Sequence, residues 1–208
     1  MIQAEVLIAR HGNTFAPGET PRRVGARTDL PLVETERATA IGEYLKAEFK
    51  PDVIYCSPLL RTKQTAQYAL EAAGFDLEII YDDRFIELDY GPDENKIEDE
   101  VIARIGQEAM DLWNSKGIVP EGWSVDVKAL KLAWYYFFKE LETKHKGQKV
   151  LVVTSNGIAR FAPAALPHLA NKIPSLKMKT GNLSHFQKRT TDQWQCTFWD
   201  KKPIDLLS

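Results

Sequence analysis

The amino-acid sequence predicts an α/β protein with a mostly parallel central sheet and helices on both faces. Short apolar or β-branched runs alternate with stretches whose apolar residues recur at helical spacing, as in parallel strands joined by crossover helices. The last third of the chain adds two segments of alternating polarity, which predict a hairpin at the sheet edge. With 208 residues the chain is long enough to bury a sizeable core. We therefore expect one domain across residues 1–208.

Four strands and two helices are expected from these patterns. The predicted strands lie at residues 6–9, 53–56, 77–81 and 150–154. Helical spacing is shown by two sets of apolar residues, Ala38, Ile41, Leu45 and Phe49, then Leu130, Trp134, Phe137 and Leu141. The edge hairpin is expected at residues 182–187 and 194–199. The aromatic run at 134–138 is interpreted as core packing.

Residues 92–125 interrupt the strand pattern. Their apolar residues follow helical spacing, so we predict a small helical cap over the functional site. The candidates to line this cap are Glu94, Trp113, Trp123 and either Arg22 or Arg23.

Composition narrows the class of protein. The 27 basic and 29 acidic residues nearly balance, so the charge gives no indication of nucleic-acid binding. No apolar run is close to the length needed to span a membrane. Cys56 and Cys196 are interpreted as reduced thiols of a cytoplasmic protein. No Cys/His pair has metal-ligand spacing, so neither a metal nor a cofactor is expected. The oligomeric state, monomer or homodimer, is left open.

The most informative stretch is residues 7–14, where an apolar run ends in Arg10-His11-Gly12. Ligands of open α/β sheets bind outside the carboxyl ends of the strands, and arginine presents a fixed forked cation. This placement suits a nucleophilic imidazole presented to a phosphate. A structural histidine at a strand end is the alternative interpretation.

Two further segments fit phosphate chemistry. The apolar run at 53–56 leads through Ser57-Pro58 to Arg61 at a predicted helix N-terminus, where anions bind well. Glu87 stands between apolar neighbours, a setting that raises a carboxyl pKa and suits a general acid. Taken singly, Arg61 and Glu87 could equally be solvated charges.

Together and in this order, these motifs resemble the histidine phosphatase superfamily, also called phosphoglycerate mutase-like. The resemblance covers nearly the whole chain, including the turn at 25–32 and Thr65-Ala66. It implies that His11 becomes phosphohistidine, that Arg10 and Arg61 hold the phosphoryl group, and that Glu87 protonates the leaving oxygen.

The chain departs from the family pattern at three places. The family has a second histidine in a Thr/Ser-His-Gly-Gly-x-x-Arg motif, but residues 154–160 read Thr-Ser-Asn-Gly-Ile-Ala-Arg. Ser155 takes the place of that histidine, or Asn156 does if the register slips by one, and either can donate a hydrogen bond but supplies no charge. Pro17 replaces a phosphate-contacting asparagine, for which Asn13 is a candidate substitute. Residues 122–124 read Gly-Trp-Ser where many members have Gly-Glu-Ser.

The remaining histidines are weighed as substitutes for the missing imidazole. His185 lies on a late strand that resembles a segment beside the family's site, although an ordinary half-buried histidine is the alternative. His145 is expected to be a solvated helix end, and His168 a loop residue without a partner.

These features predict a phosphomonoester hydrolase that acts on a small phosphorylated metabolite or binds inorganic phosphate. The short cap favours a phosphatase over a phosphoglycerate mutase, which must retain an intermediate away from water. A catalytically weak or silent phosphate-binding protein on the same fold stays open as the other hypothesis, because of Ser155.

Overall fold

The computed structural model describes residues 1–169, 172–173 and 175–207. Its strands are β1 (Ile2–Arg10), β2 (Val53–Cys56), β3 (Ile79–Tyr81), β4 (Lys149–Thr154), β5 (Leu183–Arg189) and β6 (Gln195–Lys201). Its α-helices are α1 (Glu36–Ala47), α2 (Leu60–Ala73), α3 (Glu98–Ile105), α4 (Gln107–Lys116), α5 (Val127–Thr143), α6 (Asn156–Ala159) and α7 (Phe161–Ala164). None of the helices in these ranges is long and apolar enough to cross a membrane.

The strands form one sheet in the order β3-β2-β4-β1-β5-β6. The first four are parallel, β5 runs antiparallel to β1, and β6 runs antiparallel to β5. The predicted α/β fold with a mostly parallel sheet is confirmed. The edge hairpin forms as predicted with slightly longer strands, whereas β3 is two residues shorter than the apolar run at 77–81 that predicted it.

Alternate residues of β1 enter two different cores. Val6 and Ile8 pack on the face covered by α5 and the segment 92–125, while Leu7 and Ala9 pack on the face covered by α1 and α2. All four side chains are fully buried. A strand buried on both faces explains why the sequence shows a continuous apolar run here rather than alternation.

Helix α5 carries the aromatic run. Trp134, Phe137 and Phe138 are buried in the core, as predicted, while Tyr135 and Tyr136 are exposed on the opposite side. Its N-terminus is capped by Asp126, whose side chain accepts a hydrogen bond from the Ala129 amide at 2.9 Å.

The segment 92–125 contains α3 and α4 and joins the core on the α5 face of the sheet. Its two tryptophans, Trp113 and Trp123, pack edge to face with ring centroids 5.1 Å apart. Glu94 holds the turn at residues 25–28, because its carboxylate accepts hydrogen bonds from the Gly25 amide at 3.0 Å and the Thr28 hydroxyl at 2.8 Å.

Two histidine expectations were wrong. His145 is buried, because the chain turns back after α5 and brings the ring within 2.9 Å of the Tyr55 hydroxyl and of the Gln148 side chain. His168 does have a partner, since its Nε2 donates to the Trp194 carbonyl at 2.6 Å. In both cases the partner is a tertiary contact that local sequence does not show.

Candidate active site

The candidate site lies at the carboxyl ends of the neighbouring strands β1, β4 and β2. The His11 amide donates to the Thr154 carbonyl at 3.1 Å, which extends the β1–β4 pairing beyond the strand ends. The Ser57 amide donates to the Val153 carbonyl at 3.0 Å in the same way. His11, Ser155 and the turn that leads to Arg61 are therefore brought to one edge of the sheet.

The His11 ring is oriented by its own loop. Its Nδ1 lies 2.7 Å from the Gly12 carbonyl oxygen, which can only accept a hydrogen bond, so Nδ1 carries the proton. Burial, together with the positive charges of Arg61 and Arg10, holds the pKa of His11 well below its usual value. The ring is therefore neutral, with the lone pair of Nε2 free to act as a nucleophile.

Two of the predicted arginines accompany this ring. Arg61 is fully buried in the first turn of α2, and it donates to the Thr28 carbonyl at 2.9 Å and to the Gly25 carbonyl at 3.3 Å. Arg10, at the end of β1, donates to the Met178 carbonyl. The Nε atoms of Arg10 and Arg61 are both buried and have no hydrogen-bond partner among the described residues.

Glu87 is a buried carboxyl held by backbone amides. Its Oε1 accepts from the Leu88 amide at 2.9 Å and its Oε2 accepts from the Gly157 amide at 3.2 Å. Burial raises the pKa of Glu87, and the positive charges of Arg61 and Arg10 oppose that shift only in part. A raised pKa makes this carboxyl better suited to general-acid chemistry than an ordinary glutamate.

Ser155 and Asn156, the two residues that follow β4, differ in their hydrogen bonding. Ser155 is fully buried, and its Oγ has no hydrogen-bond partner in the described part of the chain. The Asn156 side chain accepts from the Met178 amide at 2.7 Å, so its oxygen is engaged by the segment 177–182. Asn13 also binds this segment, since its Oδ1 accepts from the Thr180 hydroxyl at 2.6 Å.

The sequence analysis missed two arginines, of which Arg160 is buried and Arg23 is partly buried. In the sequence analysis Arg160 appeared only as the last residue of the motif at 154–160. In the structure it is fully buried. Its guanidinium lies 4.3 Å from the centroid of the Trp113 ring and donates to the Trp113 carbonyl at 3.1 Å. Arg23, named only as one of two cap candidates, stacks over the Tyr90 and Trp123 rings at 5.1 and 4.9 Å.

Unpartnered buried donors are concentrated at this site. Within the described ranges, seven buried side-chain nitrogen or oxygen atoms have no hydrogen-bond partner, and six of them belong to four arginines and one serine, namely Arg10, Arg23, Arg61, Arg160 and Ser155. Buried polar groups are otherwise almost always satisfied, because desolvating them without a partner costs free energy. Such a set of donors suits an anion with several oxygens.

His185 does not replace the missing imidazole. The strand register places it beside Leu7, in the interior of β1 rather than at the strand end. Its Nδ1 contacts the Thr197 hydroxyl at 2.6 Å and its Nε2 contacts the Glu5 carboxylate at 3.0 Å. His11 is therefore the one histidine of this chain at the candidate site.

The part of the chain that the structure describes contains no group of three His, Cys, Asp or Glu side chains placed to hold a metal ion. The polar atoms at the site are predominantly donors, which suit a phosphate rather than a cation.

Comparisons with known proteins identify the family of this chain. The model of the histidine phosphatase superfamily (branch 1) matches residues 6–202. A 2,3-bisphosphoglycerate-dependent phosphoglycerate mutase of Sinorhizobium fredii is 31% identical over 189 residues, which cover 85% of this chain and 86% of that protein.

Two solved structures share the fold. A mycobacterial glucosyl-3-phosphoglycerate phosphatase in complex with inorganic phosphate superposes with a TM-score of 0.76 at 20% identity, covering 96% of this chain and 98% of that one. A putative α-ribazole-5′-P phosphatase from Escherichia coli gives a TM-score of 0.72 at 20% identity, covering 96% and 97% of the two chains.

Proposed function

The chain belongs to the histidine phosphatase superfamily, and from this premise we propose that it hydrolyses a small phosphorylated metabolite through a phosphohistidine intermediate. The single observation that carries the proposal is the placement of His11: its Nδ1 lies 2.7 Å from the Gly12 carbonyl oxygen, and no described residue forms a hydrogen bond with its Nε2. Burial beside two arginines also lowers the pKa of the ring, which favours its neutral, nucleophilic form. Nε2 lies on the same sheet edge as buried, partly unpaired arginines.

The first chemical step forms a nitrogen–phosphorus bond. Nε2 of His11 attacks the phosphorus while the ester P–O bond breaks, and Arg10 and Arg61 offset the charge on the equatorial oxygens. The proton of Glu87 moves to the departing alkoxide, so the product leaves as an alcohol.

The second step restores the enzyme. Water attacks the phosphohistidine, Glu87 accepts a proton from it, and the nitrogen–phosphorus bond breaks. Inorganic phosphate leaves, and His11 returns to its neutral form.

One feature supports hydrolysis over a mutase reaction. The segment 92–125 is short, with α3 and α4 as its only α-helices in the described structure. A mutase must keep a phosphorylated intermediate away from water, which calls for additional covering segments.

We also propose a cytoplasmic location, because Cys56 and Cys196 are both free thiols.

One observation favours a second candidate, a phosphate-binding protein without turnover. Ser155 follows β4 at the position proposed for the second histidine, and its hydroxyl supplies a donor but no charge. A serine side chain too short to reach the phosphoryl oxygens would leave one preorganised donor missing, which costs roughly 3 to 4 kcal/mol, or a factor of about a hundred to a thousand in rate.

Turnover of p-nitrophenyl phosphate, measured beside phosphate binding by calorimetry, separates the two candidates. The hydrolase predicts turnover that is abolished in His11→Ala while the circular dichroism spectrum is unchanged. Phosphate binding without turnover in the wild type would select the binding protein. Full activity of His11→Ala would overturn the mechanism.

A further inference from the structure

The loop that carries His11 is held by hydrogen bonds at each of its first two peptide groups. In the peptide group between His11 and Gly12, the His11 carbonyl accepts from the Gly181 amide at 3.0 Å. The amide of the same group, which belongs to Gly12, donates to the Thr65 hydroxyl at 3.1 Å. This first peptide group is therefore fixed at both ends by neutral partners.

The second peptide group, between Gly12 and Asn13, connects the His11 ring to a carboxylate. Its carbonyl lies 2.7 Å from His11 Nδ1 and accepts the proton of that nitrogen. Its amide donates to Glu34 Oε1 at 3.1 Å. A single peptide group thus lies between the Glu34 carboxylate and the imidazole that we propose as the nucleophile.

The Glu34 side chain packs closely against this loop. The Val33 amide donates to the Asn13 carbonyl at 2.9 Å, which places the backbone next to Glu34 beside the loop. A Cβ at Gly12 would lie 3.5 Å from Glu34 Oε1, and only 19% of the Glu34 side chain is exposed. The carboxylate is therefore held in contact with the peptide group that it binds.

The Glu34 carboxylate is ionised at neutral pH. Burial raises its pKa, but hydrogen bonds from the Arg37 and Asn13 amides and the charge of Arg37 outweigh this effect, so the pKa lies below its usual value. The Arg37 guanidinium contacts Glu34 at 3.3 Å, but 45% of the Arg37 side chain is exposed, so solvent screens this ion pair. The Asn13 amide thus faces a negative charge.

A charged acceptor at the amide changes the carbonyl of the same peptide group. The two ends of a peptide group are conjugated, and hydrogen bonds in a chain polarise one another, so an amide that donates to a carboxylate leaves its carbonyl a stronger acceptor. The His11 ring gains positive charge when Nε2 bonds to phosphorus. A stronger acceptor at Nδ1 stabilises that charge as it develops.

We propose that Glu34 is a positioning residue for the nucleophile: its carboxylate, acting through the Gly12–Asn13 peptide group, orients and polarises the carbonyl that holds the His11 ring. This inference rests on the proposed function for what the ring attacks. The hydrogen-bond relay itself is tested without turnover.

Nuclear magnetic resonance of protein labelled with ¹⁵N-histidine tests the relay directly. The His11 Nδ1 proton is assigned by its absence from His11→Asn. Glu34→Gln keeps an oxygen that can accept from the Asn13 amide but removes the charge, whereas Glu34→Ala removes both. We expect this proton to exchange with solvent at least ~10-fold faster in Glu34→Ala and ~3-fold faster in Glu34→Gln, and its resonance to move upfield in both.

Kinetics on p-nitrophenyl phosphate test the consequence for the first chemical step. The value of kcat/KM should fall by at least ~10-fold in Glu34→Ala and by ~3-fold in Glu34→Gln, because the ring is less well held and its developing charge less stabilised. The affinity for inorganic phosphate, measured by calorimetry, should stay within ~2-fold, since Arg10 and Arg61 are unchanged.

Asp126→Ala is the matched control for a structural effect. Glu34 Oε2 accepts from the Arg37 amide at 3.0 Å in the first turn of α1, so its loss also weakens the start of a helix. Asp126 accepts from the Ala129 amide at 2.9 Å at the start of α5 and has no link to the His11 loop. Asp126→Ala should lower stability, but the His11 resonance should not move and kcat/KM should change less than ~2-fold.

The proposal is overturned if the His11 Nδ1 proton is unaffected in Glu34→Ala, if Asp126→Ala affects it equally, or if the wild type turns over and kcat/KM is unchanged in Glu34→Ala. A failure of the proposed function looks different. In that case the wild type does not hydrolyse p-nitrophenyl phosphate, while the His11 resonance still responds to both Glu34 variants.

Discussion

Replacing Gly157 with alanine tests how Glu87 is positioned. A Cβ at residue 157 would lie 2.1 Å from Glu87 Oε1 and 2.9 Å from two Leu88 side-chain carbons, and separations under 3.0 Å essentially never occur. The carboxyl group must therefore move by about 1 Å, a displacement that can cost a factor of about 100 in rate. Overpacking should also lower the free energy of unfolding by ~1–3 kcal/mol.

The assay compares two substrates with different leaving groups. Turnover of an alkyl phosphate, which needs a proton donor, should fall by a factor of ~100 in Gly157→Ala, whereas turnover of p-nitrophenyl phosphate should fall much less. Urea unfolding measures the change in stability.

Gly42→Ala is the matched steric control. A Cβ there would lie 2.3 Å from the Ala69 carbonyl oxygen, between α1 and α2 and away from the reacting groups. It should destabilise the protein but change the turnover of both substrates by the same factor. Equal losses on both substrates in Gly157→Ala, or unchanged alkyl phosphate turnover, would refute the role given to Glu87.

Four further predictions concern the same site. Glu87→Gln should slow alkyl phosphate turnover far more than p-nitrophenyl phosphate turnover, and equal losses would argue against a general acid. Ser155→His should raise turnover by up to about a hundredfold and should tighten ground-state binding less, and Asn156→His should give a smaller gain in turnover. Steady-state kinetics that show a gain only in Asn156→His would mean that Asn156, not Ser155, takes the place of the family's second histidine. The pH profile of kcat/KM should keep its acid limb well below pH 6.5, because burial lowers the pKa of His11, and should have an alkaline limb above pH 4.5 because the pKa of Glu87 is raised. Below pH 6.5 the unfolded chain binds a proton at this histidine and the folded protein does not. The free energy of unfolding should therefore decrease as the pH is lowered below 6.5, by up to about 1.4 kcal/mol per pH unit. Urea titrations should show that His11→Asn removes this decrease.

The position of the site was predictable from sequence because it depends on strand ends. Parallel strands present their carboxyl ends at one edge, so the runs that end at Arg10 and at Cys56 place His11 and Arg61 near each other once the fold class is known. The apolar neighbours of Glu87 likewise predicted its burial.

Residues whose roles depend on tertiary contacts were not predictable. Arg160 and Arg23 are charged residues that ordinary patterns assign to the surface, yet the aromatic rings of Trp113 and Trp123 cover them. The alternating pattern around His185 predicted a strand but gave no register, and only the antiparallel pairing with β1 shows that its ring lies beside Leu7.

Trapping the phosphorylated protein tests the nucleophile itself. The wild type is mixed with a radiolabelled phosphomonoester, quenched in alkali within one turnover and mapped by mass spectrometry. We predict one acid-labile phosphoryl group on His11, formed and lost at rates that account for kcat, and none in His11→Ala. Turnover without a labelled histidine, or labelling that persists in His11→Ala, would contradict the mechanism.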